Sequence, residues 1–162
     1  MVCGETCRFY FAYGSNMNRS RMNGRGLDIL GMSSAWIDGY SLKFNKRSQQ
    51  DPNLGCANIT YDSSARIEGV LYELKSESEI AKLDPFEGTP RRYSREVFQL
   101  ATHQGSQSAW VYIANPAVID NQLKPATWYL DHLLQGRDYI TEDYWKNLKA
   151  TPCVSHTTDE WN

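Results

Sequence analysis

Two short stretches carry residue types that can do chemistry. In YFAYGSNMNRS, residues 10–20, an aromatic run stops at Tyr13-Gly14-Ser15-Asn16. Backbone amides of a Gly-Ser-Asn turn that feeds a helix start can converge on a carboxylate or a phosphate. The same residue types also make an ordinary turn. In LDPFEGTPRRY, residues 83–93, Glu87 stands between Phe86 and Gly88. A carboxylate held against an aromatic ring loses solvation, so its pKa rises and it becomes a better proton carrier near neutrality. The alternative is a solvated loop glutamate.

Other chemistries find less support. Ser15 has no evident His and Asp partners, and His103 lies in a turn-like stretch, so no nucleophilic triad is legible. The opening turn is not a P-loop, because no Gly-Lys-Ser/Thr follows. GRGLDI, residues 24–29, is not a dinucleotide fingerprint, since Ile29 occupies the place of the third glycine. Cys3, Cys7, Cys56 and Cys153 form no CxxC pair, and His103, His132 and His156 are scattered. They read as free thiols in a reducing cytoplasm, with no metal site. A mechanism built on one carboxylate therefore enters consideration.

The elements that must position these residues follow from pattern. Residues 8–13 read as a first strand, aromatic-rich and bounded by Gly14. Ser15 or Asn16 is placed to cap a short helix ending at Asn23-Gly24. Residues 35–45 alternate Tyr40, Leu42 and Phe44 with polar neighbours, the period of a half-buried strand. Residues 56–61 and 66–74 are further strands, the second apolar on both faces and so central. Residues 93–100 and 109–113 are two more, joined through the polar turn HQGSQ. Ser76 and Glu79 have capping-box spacing for a helix carrying Ile80 and Leu83, which Pro85 stops. Pro125 opens a longer helix with Ala126, Tyr129, Leu130, Leu133 and Leu134 on one face, ended by Gly136. Thr141 caps a last helix with Tyr144, Trp145 and Leu148. Strict strand–helix alternation is absent, so the fold class is α+β, with a mixed, mainly antiparallel, barrel-like sheet flanked by helices.

The bulk properties bound the reading. The 162 residues suit a single domain spanning 1–162, with 1–7 and 151–162 as flexible ends. A hydrophobic fraction of 41% and a charged fraction of 22% indicate neither disorder nor a membrane span. MVCGETCRFYF has no basic segment followed by a long apolar one, so no export signal is expected and the location is cytoplasmic. The net charge of −2 argues against nucleic acid, although Arg19, Arg21 and Arg25 cluster, as do Lys43, Lys46 and Arg47.

YFAYGSNM, then IEGVLYEL, then LDPFEG, in this order, resemble the γ-glutamylcyclotransferase superfamily, also called γ-glutamylcyclotransferase-like or AIG2-like. The C-terminal TWYLDHLLQGRDYITEDYWKNLKA is similar to that superfamily's helix-loop-helix, so the resemblance covers roughly residues 9–150. It implies a small mixed structure built around a β-barrel. It implies conversion of a γ-glutamyl amino acid or amine to 5-oxoproline plus a free amine. The catalytic glutamate falls on Glu87, and the turn that holds the glutamyl end on Tyr13, Gly14, Ser15 and Asn16. A pocket tyrosine falls on Tyr129, with adjacent Trp128 as the alternative. Tyr93 matches a recurrent position, and Asn58 is placed to approach the pocket. No cofactor and no metal are implied, and the partner is a small γ-glutamyl molecule, with no nucleic acid, no membrane, and a monomer or homodimer as the assembly. A non-catalytic ligand-binding relative, a protein-interaction domain and a water-using hydrolase are the competing readings. The leaving amine stays open among amino acids, amines, glutathione and antibiotic intermediates.

Overall fold

The computed structural model describes residues 7–155. Five strands form a closed barrel: β1 (Phe9–Ala12), β2 (Ile29–Arg47), β3 (Gly55–Leu74), β4 (Tyr93–Thr102) and β5 (Gly105–Ala114). Their order around the barrel is β1-β3-β2-β4-β5, and Tyr10 of β1 closes the ring against Trp110 of β5. That closure is parallel, and every other pairing is antiparallel. The barrel removes the edges that an open sheet of this size would expose. Among the described residues four α-helices complete the α+β fold: α1 (Arg19–Gly24), α2 (Asp84–Glu87), α3 (Thr127–Leu134) and α4 (Glu142–Lys149). Among the described residues no helix is long and apolar enough to cross a membrane.

The core explains the aromatic run at the start. Tyr10, Phe11 and Ala12 are all buried, because β1 lies between β3 and β5. Tyr10 is registered against Tyr72 of β3, and the two rings stack at 6.2 Å. Ile67, Val70, Leu74, Leu100 and Val111 fill the space around them.

Several expected elements take a different form. The two strands expected at 56–61 and 66–74 are one. Register passes from Asp38↔Arg66 to Tyr40↔Tyr61, so residues 62–65 bulge out opposite Gly39 instead of ending the strand. The helix cap after the opening strand is neither Ser15 nor Asn16. Residues 15–17 make one 3-10 turn, and Asn18 caps α1 by accepting from the Ser20 amide at 3.1 Å. The capping box at Ser76 does not form. Ser76 makes no side-chain cap bond, and the Glu79 carboxylate instead accepts from the Asp28 amide and from Lys82. Pro85 does not stop a helix but sits in the first turn of α2, where its missing amide costs nothing. Pro125 precedes α3, whose N-cap is Ala126, and α3 ends at Leu134, before Gly136. The Thr141 cap of α4 forms as expected, accepting from the Tyr144 amide at 3.3 Å.

Parts of the expected loose ends are held in place. Cys7 is buried, with its thiol 3.4 Å from the Ser108 carbonyl. Val154 pairs with the start of α3, donating to Pro125 O at 2.9 Å and accepting from Thr127 N at 3.1 Å. The remainder, residues 1–6 and 156–162, lies outside the described residues, and with it Cys3 and His156.

Candidate active site

The C-terminal end of β1, the start of β3, the start of β4 and the end of β5 converge, and α2 and α3 close over them. The cavity at this point is lined by Tyr10, Tyr13, Gly14, Ser15, Asn16, Ala57, Glu87, Tyr93, Tyr112 and Tyr129. Every sequence-predicted residue except Asn58 is therefore in one place.

Glu87 arrives as the last residue of α2. Gly88 follows at φ +65°, the left-handed cap that turns the chain away, and a side chain there would also meet Arg92. Asp84, at the other end of α2, pairs with Arg95 at 3.1 Å and accepts from the Tyr112 hydroxyl at 2.7 Å. The helix is thus pinned to β4 and β5. The Glu87 side chain is only 15% exposed. Burial pushes its carboxyl above the ordinary glutamate value, while Arg25, Lys46 and the Asn16 hydrogen bond pull it back in part. Asn16 Nδ2 donates to Glu87 Oε1 at 3.1 Å and to Tyr10 OH at 3.0 Å. Arg25 Nη1 donates to Asn16 Oδ1 at 2.8 Å and lies 3.5 Å from Glu87 Oε1. The carboxylate is held in a fixed orientation with a cation at one edge.

The opening turn forms the facing wall. Ser15 and Asn16 are the first residues of a helical turn, so their amides have no partner within it. Gly14 passes so close to the opposite wall that a Cβ would stand 3.0 Å from Ala57 Cβ and 3.3 Å from the Tyr129 hydroxyl. Gly14→Val fills that space. We expect KM for a glutamyl ligand to rise about 10-fold or more in a folded variant, the loss of one good polar contact; unchanged KM would remove the turn from the binding site.

Five tyrosines, Tyr10, Tyr13, Tyr93, Tyr112 and Tyr129, complete the chamber. Burial raises the hydroxyls of Tyr10, Tyr13, Tyr93 and Tyr129, so they remain neutral donors at physiological pH. Tyr13 donates to the Tyr112 carbonyl and Tyr93 to the Ala57 carbonyl, the latter at 2.6 Å. Tyr129 and Tyr10 differ, because their oxygens accept, Tyr129 from the Ala57 amide at 2.9 Å and Tyr10 from Asn16 Nδ2 at 3.0 Å. Their own protons are left for an occupant of the cavity.

Asn58 is the correction. Successive strand residues face opposite sides, so Ala57 lines the cavity and Asn58 turns away. Its amide donates to Asn45 Oδ1 at 3.1 Å and its oxygen accepts from the Ala114 amide at 3.0 Å. Trp128, the alternative to Tyr129, lines an outer chamber instead.

That outer chamber continues from the first through Ser15, Glu87, Tyr93 and Tyr129, and adds Arg21, Arg25, Lys46, Cys56, Phe86 and Trp128. In the sequence these cations stand only as local clusters, without a place in the site. A period-two extension of Leu42 and Phe44 gives Lys46 an inward position, which is the one signal available; Arg25 carried none. Burial lowers the Lys46 ammonium from its ordinary value and raises the Cys56 thiol, so Cys56 is a poor nucleophile.

A family model described as "Gamma-glutamyl cyclotransferase, AIG2-like" matches residues 10–146. The comparison with curated proteins gave no match. Among solved structures, the human uncharacterized protein loc79017 superposes with a TM-score of 0.81 at 23% identity, covering 96% of this chain and 94% of its own. A structure described as gamma-glutamyl cyclotransferase gives 0.78 at 22% identity, over 93% and 91%. YkqA from Bacillus subtilis gives 0.75 at 22% identity, over 90% of this chain and 55% of that one. At these identities the three structures speak to the fold.

Proposed function

Because the chain belongs to the gamma-glutamyl cyclotransferase, AIG2-like family, we propose that it converts a γ-glutamyl amino acid or amine to 5-oxoproline and a free amine. The observation that supports this reading is Glu87, a buried carboxylate of raised pKa facing a turn of unpaired amides across a tyrosine-lined chamber.

The chemistry needs little from the protein beyond folding the substrate and moving protons. The nucleophile is the substrate's own α-amino group, and well-oriented intramolecular attack reaches effective molarities of about 10⁵ M or more. The turn at residues 14–16 receives the glutamyl end. Glu87 takes a proton from the α-ammonium, and the freed amine attacks the γ-carbonyl carbon to close a five-membered ring. As the bond to the leaving nitrogen breaks, Glu87 returns a proton to it. The surplus proton of the ring nitrogen passes to solvent or leaves on the departing amine. Neutral tyrosine hydroxyls, Tyr129 above all, donate to oxygen charge that develops on the γ-carbonyl.

Tyr129→Phe removes that donor and leaves the buried Ala57 amide without its acceptor. The expected result is a fall in kcat/KM of about 10-fold and a stability loss of about 1–3 kcal/mol. Steady-state kinetics beside thermal unfolding reads both; wild-type values in both would take Tyr129 out of the site.

The reading is tested by incubating the protein with γ-glutamyl amino acids, γ-glutamyl amines and glutathione and looking for 5-oxoproline by mass spectrometry. Formation of 5-oxoproline supports a cyclotransferase. Free glutamate assigns a hydrolase, and binding without product assigns a non-catalytic relative.

A further inference from the structure

The outer chamber carries positive charge in excess. Its lining holds three cations, Arg21, Arg25 and Lys46, against one carboxylate, Glu87. Arg25 is committed to Asn16 and Glu87, and its guanidinium lies 4.8 Å from the Phe86 ring centre. Arg21 reaches toward His132 at 3.4 Å.

Lys46 stands apart. It is 6% exposed, and its ammonium sits 4.8 Å from the Tyr93 ring centre. Its backbone is paired in the sheet, but among the described residues its ammonium makes no ion pair and no hydrogen bond. A buried ammonium without a carboxylate is a stability cost that a bound anion offsets. A second group points the same way. The indole N–H of Trp128, in the same lining, is buried with no acceptor among the described residues. Buried donors are normally satisfied, so an orphan at a cavity wall marks the place of a ligand acceptor.

Resting on the cyclotransferase reading, we infer that the outer chamber selects a leaving group bearing a free carboxylate, which Lys46 and the Trp128 indole hold. The substrate class is then a γ-glutamyl amino acid or short γ-glutamyl peptide with a free C-terminus. The glutamyl half fills the inner chamber beside Glu87, and the departing residue lies outward against Phe86 and Trp128. A neutral γ-glutamyl amine leaves the Lys46 ammonium without a carboxylate in contact, and a leaving group with a free ammonium is repelled by the cations.

The test compares γ-glutamyl-alanine with γ-glutamyl-alaninamide, which differ in that charge alone. Wild-type protein should favour the acid in kcat/KM by about 10–100-fold, the worth of a charge-assisted hydrogen bond. Lys46→Met keeps the aliphatic stem; it should lower kcat/KM for the acid by about that factor more than for the amide and so erase the preference. Equal use of both substrates by the wild type overturns the inference, as does a Lys46→Met variant that loses both equally. If that variant does not fold, the wild-type comparison still decides. Absence of 5-oxoproline from either compound counts against the cyclotransferase reading alone. Calorimetric binding of the same pair to Glu87→Gln protein then decides the subsite: tighter binding of the acid supports it, and equal affinity overturns it.

Discussion

Glu87→Gln should lower kcat by about 10²–10⁴-fold, the usual worth of a positioned acid–base group, while KM stays within a few-fold of wild type. The amide keeps the shape and can still accept from Asn16, but it carries no proton between the two nitrogens. The wild-type pH profile should show the matching limb. The reaction starts from the carboxylate, and burial raises the pKa of Glu87, so kcat/KM should fall on acidification above the ordinary glutamate range. Stability should move the other way. A carboxyl with a raised folded pKa costs stability once it is charged, at pH above that value. The amide removes the cost, so Glu87→Gln should be more stable than wild type at neutral pH, by roughly 2–4 °C in Tm for each kcal/mol relieved. That gain should fade as the pH falls toward the unfolded value, where the wild-type carboxyl is protonated in both states. A variant with near-normal turnover would sink the single-carboxylate mechanism.

The second large effect concerns the scaffold. Gly55→Ala would place a Cβ 1.9 Å from the Phe44 carbonyl oxygen and 3.0 Å from Leu123 Cβ. The first neighbour is backbone, so no rotamer relieves the clash, and β2 and β3 must separate locally. We expect a loss of about 3 kcal/mol, the upper end for overpacking, which lowers Tm by roughly 6–12 °C. Activity should fall with it. Gly55 is two residues from Ala57, whose carbonyl and amide hold the Tyr93 and Tyr129 hydroxyls. Thermal unfolding within about 2 °C of wild type would show that the hairpin has slack that the geometry does not suggest.

The sequence by itself determined whatever depends on neighbours a few residues apart. The aromatic run ending in Tyr13-Gly14-Ser15-Asn16, the alternation of Tyr40, Leu42 and Phe44 in β2, the apolar face of α3 and the Thr141 cap are all legible, because each is a relation between residues within about one turn or one pleat. Glu87 was legible as a candidate through Phe86 and Gly88, and the shared anchors placed it in a family. What the tertiary structure decided are relations between distant residues. Residues 62–65 read as a strand end, yet β2 runs on beside them and makes them a bulge. Asn58 reads as a pocket residue, yet its place on β3 turns it toward Asn45 and Ala114. Lys46 reads as one of a cluster of cations with Lys43 and Arg47, and the closed barrel buries it beside Tyr93. Arg25 meets Glu87 across 62 positions of chain, because α1 and α2 close over the same end of the barrel. The desolvation that raises the Glu87 pKa, and the excess of cations in the outer chamber, arise only when the ring of strands closes and excludes water from groups the chain keeps far apart.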